Sequence, residues 1–326
     1  MRFAAQAGWV AVLCVCFFAS PARACSVCQA GDPVFSGGAA TPRPGGSGSL
    51  FIEYQGYRKD SGLLPEEIGE PAEEGDEVNR GRLLNVLLSF GLTERLTLSL
   101  QAPFKSNFIR ERPDEEEAGN SRLRGLGDVS LTADFVVWRD RPVLPSSWLS
   151  LRLFGKAPTG KDRTREDGRV DPHLQLGTGS WDLGAGIGGG RRFEWGSLYG
   201  SALYRMNRQG ANRYEYGDVV SLNAAVETPV GRVTGGGFSE STVVGLELNY
   251  RHARRDEFGD SLYRDSGGSI LYVTPSFRVR IPWPASEGDR APSLRLATQV
   301  PLGDGGLRGR QHEGLVWSIG LVVPLL

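Results

Sequence analysis

From Ser49 to Leu326 the chain alternates apolar and polar residues in about a dozen segments separated by polar connections. In Thr242 to Arg251, Val244, Leu246, Leu248 and Tyr250 fall on one side, and Glu247, Asn249 and Arg251 on the other. A period of two is the geometry of a β-strand whose faces meet different surroundings. Leu96, Leu98, Leu100 and Ala102 repeat it against Thr97, Ser99 and Gln101, and Leu149, Leu151 and Leu153 against Ser150 and Arg152. The pattern predicts strands over 49–58, 82–92, 95–105, 124–138, 147–157, 173–191, 196–206, 216–228, 242–252, 268–282, 293–302 and 313–325.

The polar face is rich in Arg, Glu, Gln and Asn, and the apolar face is continuous, which suits hydrocarbon outside and water inside. The predicted fold is therefore all-β: a transmembrane antiparallel up-and-down β-barrel of about 12 strands in the cell outer membrane. Even strand number places both termini on the periplasmic side, and alternate connections fit long outward loops and short periplasmic turns. Thr93-Glu94 and Phe193-Glu194-Trp195 are very short; Pro229 to Ser241 is longer than the rule prefers. On this register the lumen-lining candidates are Glu53, Gln55, Gln101, Asp134, Arg152, Asn223, Glu227, Glu247, Asn249, Arg251, Arg278, Arg280, Arg295 and Gln299. Opposed charges there can set a transverse field across a pore or pair into a lattice that fills it. Eight strands leave little room and sixteen leave a channel, so twelve does not decide between the two.

Residues 1–24 read as a signal peptide: an apolar stretch through Trp9, Val10, Leu13 and Phe17 ends in Ala22-Arg23-Ala24. Residues 25–48 form a periplasmic N-terminal segment, and 49–326 the barrel. Mean hydropathy is −0.26, and after the leader no window approaches the run of about 20 apolar residues a spanning helix needs. A net charge of −1 argues against a nucleic-acid partner.

Candidate chemistry is sparse. Cys25 and Cys28 form a CxxC pair followed by Gln29, so covalent haem lacks its histidine, and no further ligands for zinc lie nearby. The oxidising periplasm favours a short disulfide, with soft-metal contact as rival and lipidation disfavoured by Ala22. His173, His252 and His312 lie in no nucleophile setting, and the Gly-rich run 184–190 lacks the strand-turn-helix context for phosphate, so neither an enzyme nor a cofactor is expected. The acidic runs in 59–81 and 106–123 read first as solvated loop tips and second as a cation-attracting mouth. Tyr54, Tyr57, Phe104, Trp138, Trp148, Trp195, Tyr199, Phe258, Trp283 and Trp317 fall near strand ends, as interfacial girdles would.

Three stretches add to the periodicity: Gly125-Leu126-Gly127-Asp128-Val129, Ala157-Pro158-Thr159-Gly160-Lys161 and Leu176-Gly177-Thr178-Gly179-Ser180-Trp181-Asp182. Together they resemble the outer-membrane transporter family named for the meta pathway of phenol degradation. The resemblance implies a porin-like channel for passive passage of small molecules, hydrophobic or aromatic ones included, with membrane lipid and small solutes as partners. The alternative is a structural barrel that anchors or sheathes a periplasmic redox or metal-handling partner through its N-terminal CxxC segment.

Overall fold

The computed structural model describes residues 41–60, 78–110, 120–142, 144–164, 174–230, 242–259, 261–262, 266–281, 291–302 and 312–325. The segment 1–24 expected to be a signal peptide, Cys25 and Cys28, His173, Trp283 and most of both acidic runs lie outside them. The strands are β1 (Gly48–Asp60), β2 (Val78–Gly91), β3 (Leu96–Arg110), β4 (Asn120–Leu126), β5 (Val129–Arg139), β6 (Ser147–Ala157), β7 (Asp182–Arg192) and β8 (Ser197–Met206). They continue as β9 (Tyr214–Glu215), β10 (Val219–Pro229), β11 (Thr242–Ala253), β12 (Glu257–Phe258), β13 (Ser261–Leu262), β14 (Gly268–Arg280), β15 (Ser293–Leu302) and β16 (His312–Pro324).

Thirteen of these form one antiparallel sheet that closes through β1–β16 and β2–β3 pairing; β4 and β5 are consecutive halves of one wall strand, so the barrel is twelve strands round. Closure removes the unpaired edges that hydrocarbon would not tolerate, apart from the far edge of β4, which among the described strands pairs with β3 alone. The short β9, β12 and β13 make a separate three-stranded patch at the long-loop end. No described helix is long and apolar enough to cross a membrane; the crossing is made by strands.

The molecule is inverted relative to a water-soluble protein. Leu153 is 64 % exposed, and Leu88, Leu100, Leu131, Leu246, Leu248 and Leu296 are exposed with it, whereas Glu53, Asn85, Gln101, Glu247 and Arg295 are buried. Such a surface is stable only against acyl chains, so the barrel spans the outer membrane with its leucines in lipid.

Three expectations change. The predicted sixth strand begins at Asp182, because Leu174–Trp181 leaves the wall and turns into the lumen, where Leu174, Gln175 and Leu176 are all buried. The predicted fourth strand breaks at Gly127-Asp128. Trp148 and Tyr199 are not girdle residues: they pack inward with Val136 and Ala225, their rings 5.9 Å apart. Phe104, Trp138, Trp195 and Trp317 are exposed.

Candidate solute pathway and inward strap

Alternation from the exposed leucines places the fourteen polar candidates on the inner face of their strands. Glu53, Gln55, Gln101, Glu247, Asn249, Arg251 and Arg295 are buried, Asp134, Arg152, Asn223, Glu227, Arg278 and Gln299 are half-buried, and Arg280 is exposed near the terminal end.

Strand register brings several of them together. Arg295 on β15 lies 2.6 Å from Glu247 on β11 and 3.6 Å from Glu53 on β1, and Gln55 donates to Glu53 at 2.7 Å. Thr274 donates to Asn249 (2.8 Å), Asn249 to Asn223 (3.1 Å) and Asn223 to Ser201 (3.2 Å), a ladder across β14, β11, β10 and β8. On the other side Gln101 donates to Asn85 at 2.9 Å. Separate pairs join Arg152 to Asp134 (2.7 and 3.0 Å, bidentate) and Arg278 to Glu227 (2.9 Å).

This lattice is lopsided. The Arg295 cluster gathers around β16, and the strand six places away in either direction round the wall is β7. There the inward positions between Asp182 and Arg192 are Gly184, Gly186, Gly188 and Gly190, so the middle of the wall facing the densest polar packing carries no side chains of its own, although the Trp148 ring lies over Gly190. At Gly188 an added Cβ would meet nothing closer than 3.4 Å, leaving room in front of it. The pairs flanking this wall are also wetter: the Arg152 and Asp134 side chains are 19 % and 16 % exposed, against 4 % and 1 % for Arg295 and Glu53.

The three short motifs meet at the long-loop end. Asp128, at the break between β4 and β5, accepts from Lys156 Nζ (3.0 Å), Gly160 N (3.0 Å), Thr178 N (2.8 Å) and Thr178 Oγ1 (3.1 Å). Lys156 also contacts Thr178 Oγ1 and reaches Asp182 at 2.6 Å, so one buried cation ties two carboxylates. Asn107 Nδ2 donates to the carbonyls of Leu174 (3.3 Å) and Gln175 (3.1 Å), holding the strap against β3. Gly160 and Gly177 are required where strap and loop touch, because a Cβ on either would stand 2.8–2.9 Å from the other's backbone. Beneath the strap a recess of about 50 Å³ is lined in part by Lys105, Lys156, Asp128, Asp182 and Arg205, well under the ~300 Å³ of a ligand pocket.

Nearby, Tyr214, Tyr216, Val219 and Ala253 form an apolar cluster, and buried Asp256 accepts from Tyr214 OH (2.5 Å) and Gly217 N (2.8 Å). Sequence reasoning missed Lys156 and treated Asp128 and Asp182 as architecture only; the available signal was that Asp128 and Asp182 lie in two of the three motifs and Lys156 directly precedes the other. His252 Nδ1 bonds Ser269 Oγ at 2.8 Å, and Tyr250 OH lies 3.1 Å from the same Oγ. Among the described residues no three His, Cys, Asp or Glu side chains group to hold a metal.

No family model matches the chain, and no curated protein matches it. Among solved structures, the COG4313 outer membrane channel from Pseudomonas putida F1 is similar at 17 % identity and a TM-score of 0.62, covering 90 % of this chain and 100 % of that one. The NanC porin (10 % identity, TM-score 0.44, 85 % and 100 % covered) and a Pseudomonas aeruginosa FadL homologue (12 %, 0.41, 85 % and 90 %) match more loosely. The first likeness bears on fold: nearly the whole chain follows an outer-membrane barrel, in keeping with its lipid-facing exterior.

Proposed function

We propose that this protein is a passive channel of the outer membrane for small solutes, with the pathway running along the glycine wall of β7. The observation that carries the reading is the asymmetry of the lumen, with charged side chains packed around β16 and, across from them, a run of inward glycines in mid-β7 with open space before Gly188. Asp134 and Arg152 flank that wall on β5 and β6, so a solute passes beside paired charges of both signs. Passage of hydrophobic or aromatic solutes is favoured by the inward Trp148–Tyr199 cluster at the terminal end and by Tyr214 and Tyr216 at the other. The COG4313 protein, itself named an outer membrane channel, supports the same reading, as does the motif likeness to the phenol meta-pathway transporter family.

Single-channel recording in planar bilayers tests it. The wild-type protein is expected to give discrete conductance steps, and Gly188→Trp to reduce them by more than half while retaining a heat-modifiable barrel. Conductance untouched by Gly188→Trp would place the route elsewhere, and a folded barrel without conductance would overturn the channel. That last result would favour the scaffold reading, for which residues 41–47 give some support. They fold against the β2–β3 turn at the terminal end, with Gly46 N donating to Gly91 O (2.8 Å) and Gly45 N to Glu94 Oε1 (3.0 Å).

A further inference from the structure

The outer face of the barrel should carry no charge where it meets acyl chains, because a cation there is costly at mid-membrane and nearly free only at the interfaces. Four arginines on adjoining strands mark where that uncharged band ends. In the register of β2, β3 and β4, one rung reads Arg80–Phe108–Arg122, and the next toward the terminal end reads Arg82–Ser106–Arg124. The rung after that is wholly apolar: Leu84–Phe104–Leu126, all three exposed. All four arginines are exposed, and none is paired with a carboxylate among the described residues. The Arg122 guanidinium lies 5.2 Å from the Phe108 ring centroid, which holds it against the wall.

Strand geometry gives the patch its dimensions. Neighbouring strands stand about 4.8 Å apart and alternate residues about 7 Å apart, so the four side chains spring from corners of a rectangle of roughly 10 by 7 Å. Below it, exposed Leu84, Leu88 and Phe90 run along β2, and exposed Leu92 lies in the turn just past its end. From Leu84 to the end of β2 at Gly91 is about 24 Å of strand, or roughly 18 Å along the membrane normal at the usual tilt of about 40°, with Leu92 beyond it. That fits within the ~25 Å apolar band of such barrels, which sets the arginine rungs at headgroup level on the long-loop side.

We propose that Arg80, Arg82, Arg122 and Arg124 form a binding site for the phosphorylated glycolipid of the outer leaflet, with its phosphates between the two rungs and its acyl chains over Leu84, Phe104 and Leu126. Guanidinium matches phosphate through paired N–H donors, and a pair of phosphates needs cations presented on a flat wall at this separation, not a pocket. The apolar rung beneath continues the site into the hydrocarbon, which free phosphate would not use. The inference depends on the barrel lying in the outer membrane and is independent of solute passage.

The test is native mass spectrometry of the full-length protein in detergent, titrated with bis-phosphorylated lipid A, with the same lipid after phosphatase treatment, and with inorganic phosphate as competitor. The wild-type protein is expected to hold bis-phosphorylated lipid at least tenfold more tightly than R80Q/R82Q/R122Q/R124Q. Phosphatase-treated lipid should bind both forms alike, and millimolar inorganic phosphate should not displace the lipid. The quadruple variant should keep its heat-modifiable migration and its conductance; if it does not fold, R82Q/R124Q takes its place. Equal affinity of wild type and variant, indifference to removal of the phosphates, full displacement by inorganic phosphate, or the same loss in the terminal-end control R191Q would each overturn the proposal.

Discussion

At the residue scale the lumen is governed by Arg295, the cation shared by Glu53 and Glu247. All three side chains are almost fully buried, so removing the cation leaves two carboxylates without their counter-ion in a place water reaches poorly. Breaking a buried pair in this way typically costs about 3–5 kcal/mol, whereas replacing all partners with neutral groups can be nearly free. Arg295→Met is therefore expected to lower the urea midpoint of the detergent-folded barrel sharply, and R295M/E53Q/E247Q to restore most of it. A single variant as stable as the wild type would show that the carboxylates are already neutral or well hydrated. Alternation alone put these residues on one face, because a strand's period of two fixes the side on which each residue lies. It could not reveal that Arg295 sits between Glu53 and Glu247, since that depends on which strands lie beside each other and on their stagger.

The elements show where periodicity misleads. Leu174, Gln175, Leu176 and Gly177 alternate like a wall strand, yet the segment lies inside the lumen, where apolar and polar side chains are buried alike and the period carries no information about sides. Asp128 is what holds it there. Asp128→Asn keeps the shape but removes the charge that balances Lys156, so residues 174–180 should exchange amide hydrogens at least tenfold faster while β2 and β3 stay protected; unchanged exchange would mean that Asn107 alone secures the strap. The neighbouring loop responds to pH. Glu215 on β9 stands opposite Glu257 on β12. Burial first, then the nearby Glu257 and Asp218 charges, raise its pKa above the ordinary carboxylate range. A raised carboxyl favours the folded loop when protonated, so that contribution is full below the ordinary range and lost as pH rises through the folded value. Amides of 211–217 should accordingly be better protected at pH 5 than at pH 7.5, and Glu215→Gln should abolish the difference. Asp140, in the β5–β6 turn, runs the other way: backbone N–H donation from Ser147, then Ser146, together with Arg141, holds its carboxyl low, so that turn loosens only in strong acid.

For the whole molecule the decisive junction is β1 with β16, the one wall pair formed by strands at opposite ends of the chain. Closing it carries the largest loop entropy of any pairing, so register there needs its own device. The seam supplies one by laying aromatic rings over glycines. Trp317 faces Gly56 directly, with its ring where a Cβ would stand only 2.5 Å away, and it packs against Tyr54 at 5.5 Å. Tyr57 covers Gly81 in the same manner on the adjoining β1–β2 pair. A slip of one residue would drive each ring into a side chain, so the seam accepts one stagger. Gly56→Leu should displace Trp317 at the cost of an overpacked site, about 1–3 kcal/mol. The temperature at which the folded band converts to the slower form on electrophoresis should fall by several degrees. Gly200→Ala is the control: Gly200 also belongs to a wall strand, but its added Cβ would meet only Asn223 O at 3.7 Å, so its transition should match the wild type. If both variants melt with the wild type, closure owes its register to backbone pairing alone, and the rings over Gly56 and Gly81 merely cover space at the seam.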